Sequence, residues 1–150
     1  MPLRSAHILL VDDSRMDIEL TLDAFAERRF QNKVHVAPGG EEALDYLFGR
    51  REFADRRQYP LPDLILLDLK MPGVDGHEVL RRVKAVEGLK RIPVIILSSS
   101  REEGDRAMGY DNGANSYIVK PVSFHGFLQV VQELNHYWFS LNVPPPSPVR

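Results

Sequence analysis

The groups best able to do chemistry are Asp12, Asp13 and Asp68, together with Ser98 and Lys120. Each follows on a short apolar run: Ile8-Leu9-Leu10-Val11 before the acid pair, Leu64-Ile65-Leu66-Leu67 before Asp68, Pro93-Val94-Ile95-Ile96-Leu97 before Ser98, and Tyr117-Ile118-Val119 before Lys120. Brought together, three carboxylates repel one another and take up protons unless a cation relieves the repulsion. Mg²⁺ suits that role. It prefers oxygen ligands in octahedral geometry, keeps waters, and would accept two carboxylates and a backbone carbonyl from the loop after Asp68. One carboxylate could then act as a nucleophile toward phosphorus, giving an aspartyl-phosphate. Asp68 is the better candidate, because it stands alone at the end of what is expected to be the most buried, central strand. The Lys120 ammonium and the Ser98 hydroxyl are donors suited to charge developing on phosphoryl oxygens. Taken singly, each residue is commonplace: an Asp after a strand is usually a cap or turn residue. All five in this order, each closing an apolar run, point to chemistry.

Such a cluster requires the runs to lie side by side. They are continuous rather than alternating, the pattern of strands buried on both faces of a parallel sheet. Ser14 with Asp17 forms a weak cap before Ile18, Leu22 and Phe25 at helical spacing. Lys33 to Ala37 reads as a strand closed by Pro38-Gly39-Gly40, and Glu41 to Phe48 as a helix. Gly49 to Pro62 is basic and longer than most connections. Asp75 and Glu78 form a capping box for a helix through Val86, and Ser100 with Glu103 forms another. The helix after Ser100 contains Gly104 and Gly109, each costing roughly 1 kcal/mol against alanine, and should be the least stable. A last helix from Ser123 places Phe124, Phe127, Leu128 and Val131 on one face and Val130, Leu134, Tyr137 and Leu141 on a second. Five strands thus alternate with five helices, an α/β doubly wound parallel sheet. Such sheets bind ligands at the carboxyl ends of their strands.

At 150 residues, with 43% hydrophobic and 27% charged residues, the chain is expected to form one globular domain over residues 1–140, followed by a Pro-rich tail over 141–150. A net charge of −2 gives no argument for nucleic acid or a membrane surface as partner. The absence of cysteine excludes disulfides and thiolate metal sites. No apolar run approaches the ~20 residues of a membrane helix, and Met1-Pro2-Leu3-Arg4-Ser5 shows no signal-peptide pattern, so the expected location is cytoplasmic.

These residues resemble the response-regulator receiver family over roughly Ile8 to Phe139. The likeness is carried by Asp12-Asp13, by Leu67-Asp68-Leu69-Lys70-Met71-Pro72-Gly73 with Asp75-Gly76, by Ser98 thirty residues after Asp68, and by Gly113-Ala114, Tyr117 and Lys120-Pro121. The resemblance implies a flavodoxin-like sheet in the order 2-1-3-4-5. It implies that Asp68 is the phosphoacceptor, that Asp13 and Asp68 bind Mg²⁺ directly, that Asp12 acts through a water, and that the Lys70 carbonyl completes the ligands. Lys120 and Ser98 would contact the phosphoryl group, Ser98 and Tyr117 would form the switch, and the bond to Pro121 would be cis. Lys70 would flank the path of a hydrolytic water and modulate the phosphoryl lifetime.

By the same resemblance the partner is a sensor histidine kinase. The loop from Gly49 to Pro62, the segment Ser116 to Val122 and the tail are similar to single-domain regulators that serve phytochrome-like or other hybrid kinases. The chain would be no enzyme beyond its self-catalysed phosphorylation and dephosphorylation. It would signal through the face of the fourth helix, fifth strand and fifth helix, or relay the phosphoryl group onward. The apolar second stripe of the last helix points to a homodimer or to a tail folded back on it. An aspartyl-phosphate hydrolase is disfavoured, since Lys70 stands where such enzymes need a second Asp. A flavodoxin-like nucleotide binder lacks its phosphate loop after the first strand.

Overall fold

The computed structural model describes residues 6–28 and 32–146. Its elements are β1 (Ala6–Val11), α1 (Arg15–Arg28), β2 (Asn32–Ala37), α2 (Gly40–Phe48), β3 (Leu64–Leu67), α3 (Gly76–Lys84), β4 (Val94–Ser98), α4 (Glu103–Asp111), β5 (Ser116–Val119) and α5 (Phe124–His136). A 3₁₀ turn, Arg51–Ala54, interrupts the basic connection, and one π turn, Tyr137–Leu141, extends α5. The sheet order is β2-β1-β3-β4-β5, all parallel, as expected.

Alternate residues of each central strand face opposite layers. Leu9, Val11, Ile65, Leu67, Val94 and Ile96 pack with Ala43, Leu44 and Leu47 of α2 and Val79, Leu80 and Val83 of α3. Ile8, Leu10, Leu64, Leu66, Ile95 and Leu97 pack with Ala24 and Phe25 of α1 and Phe127, Val131 and Leu134 of α5. This two-sided burial explains the unbroken apolar runs. α4 differs, burying only Gly109. A β-carbon there would lie 2.6 Å from Cδ1 of Ile96, so this glycine is what lets the helix reach the sheet, whereas Gly104 faces open space. Among the described residues no helix is long and apolar enough to cross a membrane.

Three local expectations need correction. No cis peptide occurs among the described residues, so the bond to Pro121 is trans. The Lys120 N–H continues the ladder to the Ser98 carbonyl at 2.8 Å, and the turn into α5 is made beyond it, so nothing overrides the intrinsic trans preference of ~0.5–1 kcal/mol. Ser100 does not cap α4. Glu102 is the cap residue, and the Ser100 hydroxyl instead donates to Asp105 at 2.6 Å. The Asp75 box is half made: its carboxylate accepts from the Glu78 N–H at 3.0 Å, while Glu78 turns outward to Arg81. Ser123, where the last helix was expected to begin, caps α5, accepting from the Gly126 N–H at 3.1 Å.

Candidate functional site

The parallel register sets Val11 beside Leu67 and Leu67 beside Ile96, with Ser98 beside Val119, so the residues that follow each strand share one edge. Backbone hydrogen bonds carry this alignment one residue past β1, β3 and β5. Asp12 N–H donates to Ala37, Asp68 N–H to Val11, and Lys120 N–H to Ser98. Asp12, Asp13 and Asp68 each present a carboxylate oxygen there, all within 4.8 Å of one another. Asp12 and Asp68 are buried and Asp13 is exposed. The cluster is therefore open to solvent on one side only.

Lys120 enters from β5 and binds three carboxylates, with Nζ 2.9 Å from Asp12 Oδ2, 2.8 Å from Asp17 Oδ2 and 3.4 Å from Asp68 Oδ2. Its side chain is only 8% exposed, so these contacts are little screened. Burial opposes the ammonium charge, but the bonds to Asp17 and Asp12 and the charges of Asp12 and Asp68 outweigh it and raise the pKa. The Asp68 carboxyl is pushed up to about 6, first by burial and then by Asp12, against the counter-pull of Lys120 and the Leu69 N–H. A buried carboxylate with a lifted pKa, beside a second acid and a lysine, marks a functional site rather than a surface ion pair.

Asp17 is the member that sequence reasoning missed. It stands in the first turn of α1, where an acid is ordinarily explained by capping, and its N–H does donate to Ser14 Oγ at 3.3 Å. Its carboxylate, however, is spent on Lys120, 103 residues away. The available signal was an acid one turn into the helix that follows an acidic strand end.

The loop after Asp68 is held by close packing. Gly73 adopts a positive φ of 73° to close the turn after Pro72. Gly76 opens α3 so near the acceptor loop that a β-carbon would lie 2.1 Å from the Asp68 carbonyl oxygen. Ser98 is fully buried at the end of β4, with its Oγ accepting from the Ser100 N–H at 3.2 Å. Tyr117 is half-buried, and its hydroxyl donates to the Ser100 carbonyl at 3.0 Å rather than to the acidic cluster. The Lys70 side chain also leaves the cluster, with Nζ 3.2 Å from Asp105 of α4. Asp105 is held down at about 2 chiefly by the Ser100 hydroxyl, with His77 and Lys70 adding to it.

The donor set fits a hard dication: oxygen ligands only, two of them buried and one facing water. Asp13, Asp68 and Asp12 would hold it, and it would relieve the repulsion from Asp12 that adds to burial in lifting the Asp68 pKa.

The response regulator receiver domain family matches residues 8–132. The chain is 40% identical over 138 residues to the probable methanogenesis regulatory protein FilR2 of Methanothrix harundinacea, covering 92% of this chain and 86% of that one. It is 34% identical to response regulator Rcp1 of Synechocystis over 87% of each chain. The Mn²⁺-bound form of Rcp1 superposes with a TM-score of 0.83, at 32% identity over 93% of this chain and 99% of that one. The phosphorylated cyanobacterial phytochrome response regulator RcpA superposes with a TM-score of 0.88, at 38% identity over 95% of this chain and 99% of that one. A match of this length, on a sheet wound in this order, leaves one assignment: the chain belongs to the response regulator receiver domain family, in the neighbourhood of the phytochrome response regulators.

Proposed function

We propose that the protein is a phosphorylation-controlled signalling module that accepts a phosphoryl group on Asp68 from a sensor histidine kinase, with a phytochrome-like kinase as the partner best supported. The observation that carries this reading is the contact of one buried ammonium, Lys120, with Asp12, Asp17 and Asp68 at the sheet edge. RcpA is known in a phosphorylated form and Rcp1 with Mn²⁺ bound, and the same chemistry is inferred for this chain.

In this reading a carboxylate oxygen of Asp68 bonds to phosphorus as the N–P bond of the donor phosphohistidine breaks. This leaves an acyl phosphate on Asp68 and an imidazole that departs neutral because its other nitrogen already carries a proton. Lys120, already held at 3.4 Å from Asp68, turns its charge to the phosphoryl oxygens. Asp12 and Asp17 keep that ammonium charged and aimed. Ser98, at the end of β4, donates its hydroxyl to the same oxygens and lets go of the Ser100 N–H. Mg²⁺, held by Asp13, Asp68, Asp12 and the Lys70 carbonyl, would neutralise charge on the phosphoryl group and orient it. The reaction is self-catalysed, with no turnover of a separate substrate.

Output is proposed to run through the α4, β5 and α5 face. Tyr117 exchanges its bond to the Ser100 carbonyl for an inward position as Ser98 moves, biasing a two-state arrangement of α4. Exposed Met108, Tyr110, Val122 and Phe124 on and beside this face suit a protein contact, a second copy of the chain included. Residues 1–140 would form the receiver unit, with the tail following, in the cytoplasm where a kinase domain can reach it.

Incubation with acetyl phosphate and Mg²⁺, followed by intact mass measurement, tests the reading. Wild type should gain one phosphoryl mass, and both Asp68→Asn and chelation should abolish the gain. A gain that persists in Asp68→Asn would overturn the assignment of the acceptor.

A further inference from the structure

Asp105 lies outside the acidic cluster yet joins four elements. Its Oδ2 accepts from the Ser100 hydroxyl at 2.6 Å and pairs with Lys70 Nζ at 3.2 Å, while its Oδ1 faces His77 Nε2 at 3.2 Å. Ser100 belongs to the β4–α4 loop, Lys70 to the acceptor loop, His77 to α3 and Asp105 to α4. The carboxylate can only accept, so Nε2 of His77 carries the hydrogen, and its Nδ1 is left buried without a partner. The Nε2–H bond sets the ring, since a flip would place Cε1 against the carboxylate and lose that bond. The Lys70 ammonium is 60% exposed and has rotamer freedom, and Asp105 is the group that holds it.

We propose that Asp105 is a positioning residue for Lys70: by holding the ammonium on α4 it limits how often Lys70 reaches the phosphoryl group on Asp68, and so sets the phosphoryl lifetime from α4. The proposal rests on the reading of Asp68 as acceptor. Lys70 stands two residues from Asp68, so phosphorylation brings ~2 negative charges into competition with Asp105 for one ammonium. When Lys70 swings to the phosphoryl oxygens it covers them against water and releases one of the ties of α4. When it returns, the oxygens are open to hydrolysis. α4 buries only Gly109 among its own residues, so a tie through Asp105 is a large share of what seats it.

The test is a double-mutant cycle on the full chain, with Asp105→Asn, Lys70→Ala and the pair. Asparagine keeps the shape, can accept from His77 through Oδ1 while its Nδ2 donates to the Ser100 hydroxyl oxygen, and loses the charge that retains Lys70. After loading with acetyl phosphate and Mg²⁺, decay of the phosphoryl mass should slow about twofold to fivefold in Asp105→Asn, the range expected for a partly exposed ion pair. It should quicken in Lys70→Ala, and Asp105→Asn should have no further effect on a Lys70→Ala background. Equal slowing in both backgrounds would mean a structural role for Asp105 and would overturn the proposal. A Lys70→Arg variant, which restores the charge, should restore sensitivity to Asp105. Amide exchange on unphosphorylated protein gives a readout independent of Asp68: Asp105→Asn should speed exchange in 103–111 and around Lys70 while leaving α5 unchanged. Failure of wild type to gain phosphoryl mass would count against the acceptor reading. The exchange pattern would still decide the Asp105 contact, and unchanged exchange in α4 would overturn it.

Discussion

A β-carbon on Gly76 would lie 2.1 Å from the Asp68 carbonyl oxygen and 2.7 Å from Cα of Leu69, both backbone atoms with little freedom to retreat. Gly76→Ala should therefore push α3 away from the acceptor loop, lowering stability in urea by roughly 1–3 kcal/mol and slowing phosphorylation by acetyl phosphate. Lys120 poses the opposite problem, a charge whose removal leaves its partners behind. Lys120→Met would strand Asp12 and Asp68 in a buried site without their cation. The metal-free protein should lose about 3 kcal/mol, the usual consequence of breaking a buried ion pair from one side. The same change deepens the negative potential at the carboxylates, so added Mg²⁺ should raise Tm more in Lys120→Met than in wild type. Calorimetry with and without the metal measures both effects. These residue types and their spacing were legible in the sequence. Asp17 as a third partner of Lys120 was not, because a local capping role already explained it.

Among the elements, the connection from α2 to β3 departs most from its sequence reading as a long basic loop. Arg56 folds back onto the end of α2, donating to the carbonyls of Tyr46 and Leu47 at 2.8 Å and of Tyr59 at 3.2 Å. It thereby satisfies carbonyls that a helix end leaves open. The Tyr46 hydroxyl donates to the Pro60 carbonyl at 2.8 Å, and its ring packs with His35, Phe53 and Tyr59. Burial pushes the Tyr46 phenol up to about 12 from its usual 10.0. The unfolded chain loses this proton first, so stability should be level below pH 10 and fall as pH rises toward about 12. Tyr46→Phe should remove that part of the alkaline decline and cost about 1 kcal/mol at neutral pH, measured by urea unfolding across the range. Such pins link residues as far as 14 positions apart through carbonyls, which have no side-chain signature. The role of Ser100 was hidden otherwise: its partner is the Asp105 side chain, whose position is decided by where α4 sits.

At the scale of the whole molecule, three carboxylates within 4.8 Å make the metal-free fold carry a repulsion that the unfolded chain lacks. Binding of Mg²⁺ to the folded state alone should stabilise it by about 2.7 kcal/mol at one hundred times Kd. Thermal unfolding should show Tm rising with Mg²⁺ concentration, and Asp13→Asn should flatten that rise while leaving the metal-free Tm unchanged or higher, since it relieves repulsion. A Tm that responds to Mg²⁺ equally in Asp13→Asn would place the ion elsewhere.

The unbroken apolar runs and the polar residues that close them determined the five-stranded parallel sheet and the edge at which chemistry gathers, because burial on both faces leaves no alternating pattern and connection rules leave few topologies. They also determined which residues stand there, since a strand's last residue is fixed by where its apolar run stops. Only the tertiary structure decided how those residues pair. That Lys120 is shared by three acids, that Lys70 turns to α4, that Tyr117 rests on Ser100, and that the peptide before Pro121 is trans all depend on distances between elements far apart in the chain. Gly109 shows the division in one residue. By composition it weakens a helix, but packed against Ile96 it is the condition for that helix to touch the sheet.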